Sequence, residues 1–177
     1  MRKLKTQELN RLSPDEFEKA EKFPLVLVLD NIRSMNNVGS CFRTADAFRL
    51  EKLFLCGITA KPPHREIQKT ALGATETVTW QHEENVSDVI KELKDDGYKV
   101  YALEQADKST MLDKLPDNNE KIALVIGNEV FGVSDDVISE ADIVVEIPQF
   151  GSKHSFNVSV ATGIAVWEIV RKNGWLN

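Results

Sequence analysis

Six short apolar runs set the rhythm of this chain: Leu25–Leu29, Leu53–Ile58, Glu76–Trp80, Lys99–Leu103, Ile122–Ile126 and Ile143–Ile147. They are rich in Val, Ile and Leu and mostly lack polar alternation, which is how strands covered on both faces read. Helical patterns fill the gaps. Val38–Phe48 sets Phe42, Ala45 and Phe48 on one side, and Ser87–Lys94 carries Val89, Ile90 and Leu93 with a stop at Asp96-Gly97. Ser134-Asp135-Asp136 predicts the cap of a short helix before Ile143, and a last helix runs from near Asn157 to about Lys172. That last helix is apolar nearly all round, so it must pack against the domain or a partner, and Glu168 within it needs a partner of its own. Alternating strands and helices predict an α/β fold with a mainly parallel sheet flanked by helices.

Residues 1–24 are polar and charged. Ser13-Pro14-Asp15-Glu16 has the composition of a helix start, so this stretch reads as a short helical extension and 25–177 as a single domain. No internal repeat or low-complexity linker interrupts it.

The chain has 177 residues and a net charge of −6. That excludes binding to nucleic acid by bulk electrostatics but not an RNA-acting enzyme with local positive charge, such as Met1–Lys5 with Arg11, or Arg33, Arg43 and Arg49. Cys41 and Cys56 sit in no CxxC and read as buried, reduced thiols. His64, His82 and His154 lack metal-ligand spacing, so no metal is expected. The N-terminus has no signal-peptide core and Leu25–Leu29 is too short to span a bilayer, so a cytoplasmic protein is expected.

Three segments carry candidate chemistry. Gly127-Asn128-Glu129-Val130-Phe131-Gly132 has glycine spacing that imitates a P-loop, but Val133 stands where the phosphate-binding lysine belongs and Glu129 would repel a triphosphate. As a glycine-rich turn it is unremarkable; its Asn-Glu pair at the end of a strand, however, lies where open α/β sheets bind ligands. In Asn37–Ala45, Asn37 suits a helix cap, Gly39 a close backbone approach, and Arg43 by itself a solvated side chain. The loop Ile147–Ser159 is unusually polar, and Ser155 and Asn157 are N-cap residue types. A dinucleotide fingerprint after the first strand and a G-x-S-x-G elbow are both missing, against a dehydrogenase, a kinase or a hydrolase.

Taken together, the three segments resemble the three motifs of the SpoU/TrmH family of the SPOUT superfamily. Asn37-x-Gly39-x-x-x-Arg43-Thr44-Ala45 is similar to the first, Ile126-Gly127-Asn128-Glu129-x-x-Gly132 to the second, and Ile147-Pro148-x-x-Gly151-x-x-x-Ser155-Phe156-Asn157-Val158-Ser159-x-Ala161 to the third. Phe156 departs from the family's usual leucine or methionine. The resemblance implies a SPOUT-type fold with a C-terminal trefoil knot and a homodimer packed through the last helix; unlike in some family members, no RNA-binding domain is expected ahead of the catalytic one. It also implies transfer of a methyl group from S-adenosylmethionine to a ribose 2′-hydroxyl of tRNA or rRNA.

Carried over residue by residue, the resemblance implies Leu103, Gly127, Ile147, Ser155 and Phe156 as cofactor-binding. Arg43, Asn37, Glu129, Ser155 and Asn157 become the catalytic set. Positive charge near the site points to Arg33, Arg43 and Lys153 as RNA contacts. A guanidinium holds its proton throughout the physiological range, so a phosphate and alkoxide clamp suits Arg43 better than a general base. The alternative is an inactive RNA-binding protein with the same fold, against which the intact polar set argues.

Overall fold

The computed structural model describes residues 1–117 and 119–176. After α1 (Pro14–Lys19), the chain runs β1 (Phe23–Asp30), α2 (Met35–Ala47), β2 (Leu50–Cys56), α3 (Arg65–Ala71), α4 (Ala74–Thr77), β3 (Trp80–Glu83) and α5 (Val86–Asp95). It continues β4 (Lys99–Leu103), β5 (Thr110–Met111), β6 (Ile122–Ile126), α6 (Asp135–Glu140), β7 (Ile143–Glu146) and α7 (Val158–Lys172). The strands form one sheet in the order β3-β2-β1-β6-β4-β7-β5, and every neighbouring pair is parallel.

The apolar runs follow from this arrangement. Successive strand residues point to opposite faces. Leu25, Leu27 and Leu29 of β1 pack with Leu53, Leu55 and Leu124 under α2 and α7, while Val26 and Val28 pack with Phe54, Val100 and Val125 under α5 and α6. Both faces are therefore dry, and each fully buried Val or Leu contributes roughly 1.5–3 kcal/mol.

Two boundaries differ from expectation. Glu76–Trp80 is not a strand: residues 74–77 form α4, which buries Ala74 and Thr75, and the strand begins at Trp80. As the sheet's edge, β3 is half-buried and reads Trp-Gln-His-Glu, so no apolar run marks it. The second run ends at Cys56, leaving Ile58 exposed. Sequence patterning also passed over α3 and the two-residue β5.

Helix caps decide local detail. Ser13 Oγ accepts from Glu16 N and caps α1, as its residue type predicts, and the helix buries Phe17. Sheet residues start at Phe23, just inside the expected extension. Ser134 occupies the N-cap of α6 without a capping hydrogen bond. The cap of α2 is Ser34, not Asn37: Ser34 Oγ accepts from Asn37 N, which frees the Asn37 side chain for other partners.

One face of α7 is buried through Thr162, Ala165, Val166, Ile169 and Val170, while Val160 and Trp167 are about half exposed. Glu168 finds its partner in Arg171, at 2.6 Å. Both cysteines are free and buried, and burial pushes each thiol up to about 12. Among the described residues no helix is long and apolar enough to cross a membrane.

The first motif's glycine has a packing reason. A Cβ on Gly39 of α2 would lie 2.1 Å from Thr70 Oγ1 and 2.3 Å from the Ile67 carbonyl oxygen of α3. Backbone cannot yield to a methyl at that range. Gly39→Ala should therefore destabilise the fold by about 1–3 kcal/mol, the usual cost of overpacking. Urea unfolding measures this, and an unchanged midpoint would show that α3 is free to move away.

Candidate functional site

All seven strands end on the same side of the sheet, and β6 separates the outward run β1-β2-β3 from the run that begins at β4. Open parallel sheets bind ligands outside the carboxyl ends of their strands at such a change of direction. Here the segments after β4, β6 and β7 enclose a pocket of about 660 Å³. That is within the range of small-molecule sites, roughly 300–1,000 Å³. Leu103, Gly127, Ile147, Ser155 and Phe156 all line it, together with Glu129 and Asn157. Glu104, Asp135 and Glu146 are also in the wall, which carries no lysine or arginine.

Gly127 is glycine because the chain folds back on it. A Cβ there would come within 2.2–2.3 Å of the backbone of Gly132 and Val133. The turn between them closes through Asn128 and Gly132, whose backbones exchange hydrogen bonds of 3.0 and 2.9 Å. Asn128 Oδ1 accepts from Val130 N and Phe131 N, and Asn128 Nδ2 donates to the Asn31 carbonyl oxygen.

Glu129 ties this turn to the start of α2. Its Oε2 accepts from Arg33 N at 2.8 Å, and its Oε1 from Ser34 N at 2.9 Å and from Asn37 Nδ2 at 2.9 Å. Asn37 passes the link on: its Oδ1 accepts from Asn157 Nδ2 at 3.2 Å. Asn157 Oδ1 in turn accepts from Ser159 N and Val160 N, capping α7. The cap reading and the site reading of Asn157 are thus both true. One chain of hydrogen bonds joins the three motif segments.

The other expected residues fall outside this chain. Ser155 and Phe156 line the pocket but make no hydrogen bond to the clasp among the described residues. Arg33 and Lys153 are exposed, and Arg33 contributes its backbone N–H rather than its side chain. Arg43 is exposed and does not face the pocket. It borders a separate shallow depression with Ser40, Thr44, Phe48, Lys69 and Gly163, at the seam of α2 and α7.

Sequence reasoning missed Glu104. Its carboxylate accepts from Gln105 N at 2.8 Å and Val133 N at 2.9 Å, fastening the end of β4 to the start of the α6 segment. Gln105 Nε2 donates to the His154 carbonyl oxygen at 2.7 Å and holds the loop before α7. The available signal was position: a polar pair directly after a strand, the same argument that singled out Asn128 and Glu129.

Burial raises the Glu129 pKa, but the donors Arg33 N, Asn37 Nδ2 and Ser34 N outweigh it and hold the carboxyl below its ordinary 4.5. A depressed carboxyl stabilises the fold above its unfolded pKa, and that contribution disappears as pH falls through the folded value. Glu129→Gln places an NH₂ against at least one N–H donor. At neutral pH it should cost about 1–2 kcal/mol, moderated by solvent screening. Urea unfolding across pH should show the gap between the two proteins closing below about 4.5. A gap that persisted in acid would mean the clasp does not depend on charge.

The SpoU rRNA Methylase family model matches residues 24–167. The chain is 32% identical over 158 residues to an uncharacterized tRNA/rRNA methyltransferase of Borreliella burgdorferi, covering 89% of this chain and 68% of that one. It is 33% identical to the 23S rRNA (guanosine-2′-O-)-methyltransferase RlmB of Neisseria meningitidis, covering 89% and 62%. Among solved structures, the AdoMet-bound rRNA methyltransferase of Sinorhizobium meliloti superposes with a TM-score of 0.80 at 28% identity, over 92% of this chain and 62% of that one. The chain spans about two thirds of the length of these relatives. With three motif segments in order, joined by one set of hydrogen bonds on a matching fold, the chain belongs to the SpoU rRNA Methylase family.

Proposed function

We propose that this protein transfers a methyl group from S-adenosylmethionine to a ribose 2′-hydroxyl of tRNA or rRNA. The observation that carries the reading is the Glu129–Asn37–Asn157 link at the mouth of the pocket, because it holds the segments of all three motifs in one place. The wall suits a cationic cofactor: Glu104, Glu129, Asp135 and Glu146 contribute carboxylates and no lysine or arginine opposes them. Leu103, Gly127, Ile147, Ser155 and Phe156 are the residues to hold it. When bound, S-adenosylmethionine supplies a methyl group made electrophilic by its sulfonium.

The chain's own residues have three tasks. The clasp fixes the pocket's shape, since Glu129 anchors two backbone N–H groups and Asn37. The loop before α7, tied down by Gln105, covers the pocket beside Ser155 and Phe156. Arg43 attracts the RNA phosphate and favours the developing alkoxide as the 2′-hydroxyl passes its proton to solvent water and its oxygen accepts the methyl group. Arg33 and Lys153, both exposed, extend the positive charge available to RNA.

The reading includes a homodimer through α7, a C-terminal trefoil knot and a cytoplasmic location. The half-exposed Val160 and Trp167 on α7 support the dimer. Arg43 borders the same depression as Gly163 of α7, so pairing through α7 would bring Arg43 near the seam between two copies. The knot is supported by the path of residues 147–157. They leave β7 beyond β4, pass the Gln105 side chain, and reach a helix packed on α2.

Arg43→Ala tests the assignment. Removing a group that stabilises transition-state charge should lower methyl transfer roughly 100- to 1,000-fold. Titration calorimetry with S-adenosylmethionine should still detect binding, because Arg43 is outside the pocket wall. Near-normal turnover by the variant would remove Arg43 from the mechanism, and a wild-type protein that does not bind S-adenosylmethionine would sink the whole reading.

A further inference from the structure

Phe131 is 85% exposed and Phe150 is 97% exposed, yet both belong to the segments that frame the pocket. Phe156, 41% exposed, lines the same pocket as Phe131. Phe131 does not dangle from a loose loop. Asn128 Oδ1 accepts from the backbone of Val130 and Phe131, the Asn128–Gly132 backbone pair closes the turn, and Glu104 holds Val133 N on the far side. A large apolar ring held in water on so well-braced a turn offers preorganised apolar area whose covering would be favourable.

We infer that Phe131, with Phe150, is a stacking platform for an unpaired nucleobase of the substrate RNA. The inference rests on the methyltransferase reading and names the kind of RNA it requires. A ribose that enters a recess between loops must leave its stack with its base, which is unfavourable unless the base finds another π-face. Aromatic side chains offer that face without regard to sequence. The charge around the platform fits the same occupant. Arg33 is exposed and its backbone N–H is bonded to Glu129, two residues from Phe131, while Lys153 is exposed three residues from Phe150. The preferred substrate is therefore a single-stranded loop rather than a continuous duplex.

The test compares wild type, Phe131→Ala, Phe150→Ala and Phe131→Trp. Fluorescence anisotropy follows binding to a labelled RNA hairpin with an unpaired loop and to a fully paired duplex of equal length. Calorimetry follows S-adenosylmethionine, and sedimentation follows the oligomeric state. Both phenylalanines are exposed, so the variants should fold. Wild type should favour the hairpin. Phe131→Ala should lose roughly tenfold or more of that affinity with little change on the duplex, Phe150→Ala should lose several-fold, and Phe131→Trp should keep it. Equal losses on both RNAs, a matching loss of S-adenosylmethionine affinity, or a change in sedimentation would each overturn the platform, the last by assigning the surface to a second copy. If wild type binds S-adenosylmethionine and the hairpin while Phe131→Ala matches it on the hairpin, only the platform fails. If wild type does neither, the methyltransferase reading fails, and the platform with it.

Discussion

The Glu129 carboxylate accepts two backbone N–H groups from the segment after β1 and one side-chain N–H from Asn37. Two of those donors need a partner: Ser34 N sits at the entry to α2, where the helix offers it no acceptor, and the Asn37 side-chain amide is buried. Glu129 therefore serves a requirement of the fold and shapes the site in the same contacts. Without it, the turn after β6 has only its internal bonds through Asn128, and Asn37 has no reason to face Asn157. The pocket wall on this side follows from satisfying donors at the entry to α2 from the end of the neighbouring strand β6.

Because of this dual use, residues that cap or turn the chain and residues that build the site look alike in sequence. Asn157 is an N-cap and a partner of Asn37. Gly127 is a turn glycine and the place where the chain passes close to the pocket. Ser34, an ordinary cap, is what releases the Asn37 side chain. Spacing along the chain cannot show that these partners meet, because the bonds connect residues 92 and 120 positions apart.

The sheet was more legible than the site for a physical reason. Central strands are covered on both faces and are apolar over most of their length, so β1, β4 and β6 announce themselves. That rule fails at an edge. β3 carries Gln81, His82 and Glu83, and the apolar character of Ala74 and Val78 belongs to the helical turn before it. The fold's core could be read from hydrophobicity, whereas Glu104 and Gln105 could be found only from their position after β4. Their importance lies in what they reach: Val133 N and the His154 carbonyl oxygen.

Arg43 brings out the difference between a motif and a site. Six residues along a helix is about 9 Å of rise and a rotation well away from the starting face. Asn37 and Arg43 share one motif, yet Asn37 is buried under the clasp and Arg43 opens onto the α2–α7 seam. A single helix thus serves two surfaces at once, one that shapes a pocket and one that presents a cation. Their separation within one chain is the strongest structural reason to look for the working site between two copies. The exposed half of α7, with Val160 and Trp167, provides a surface on which they could meet.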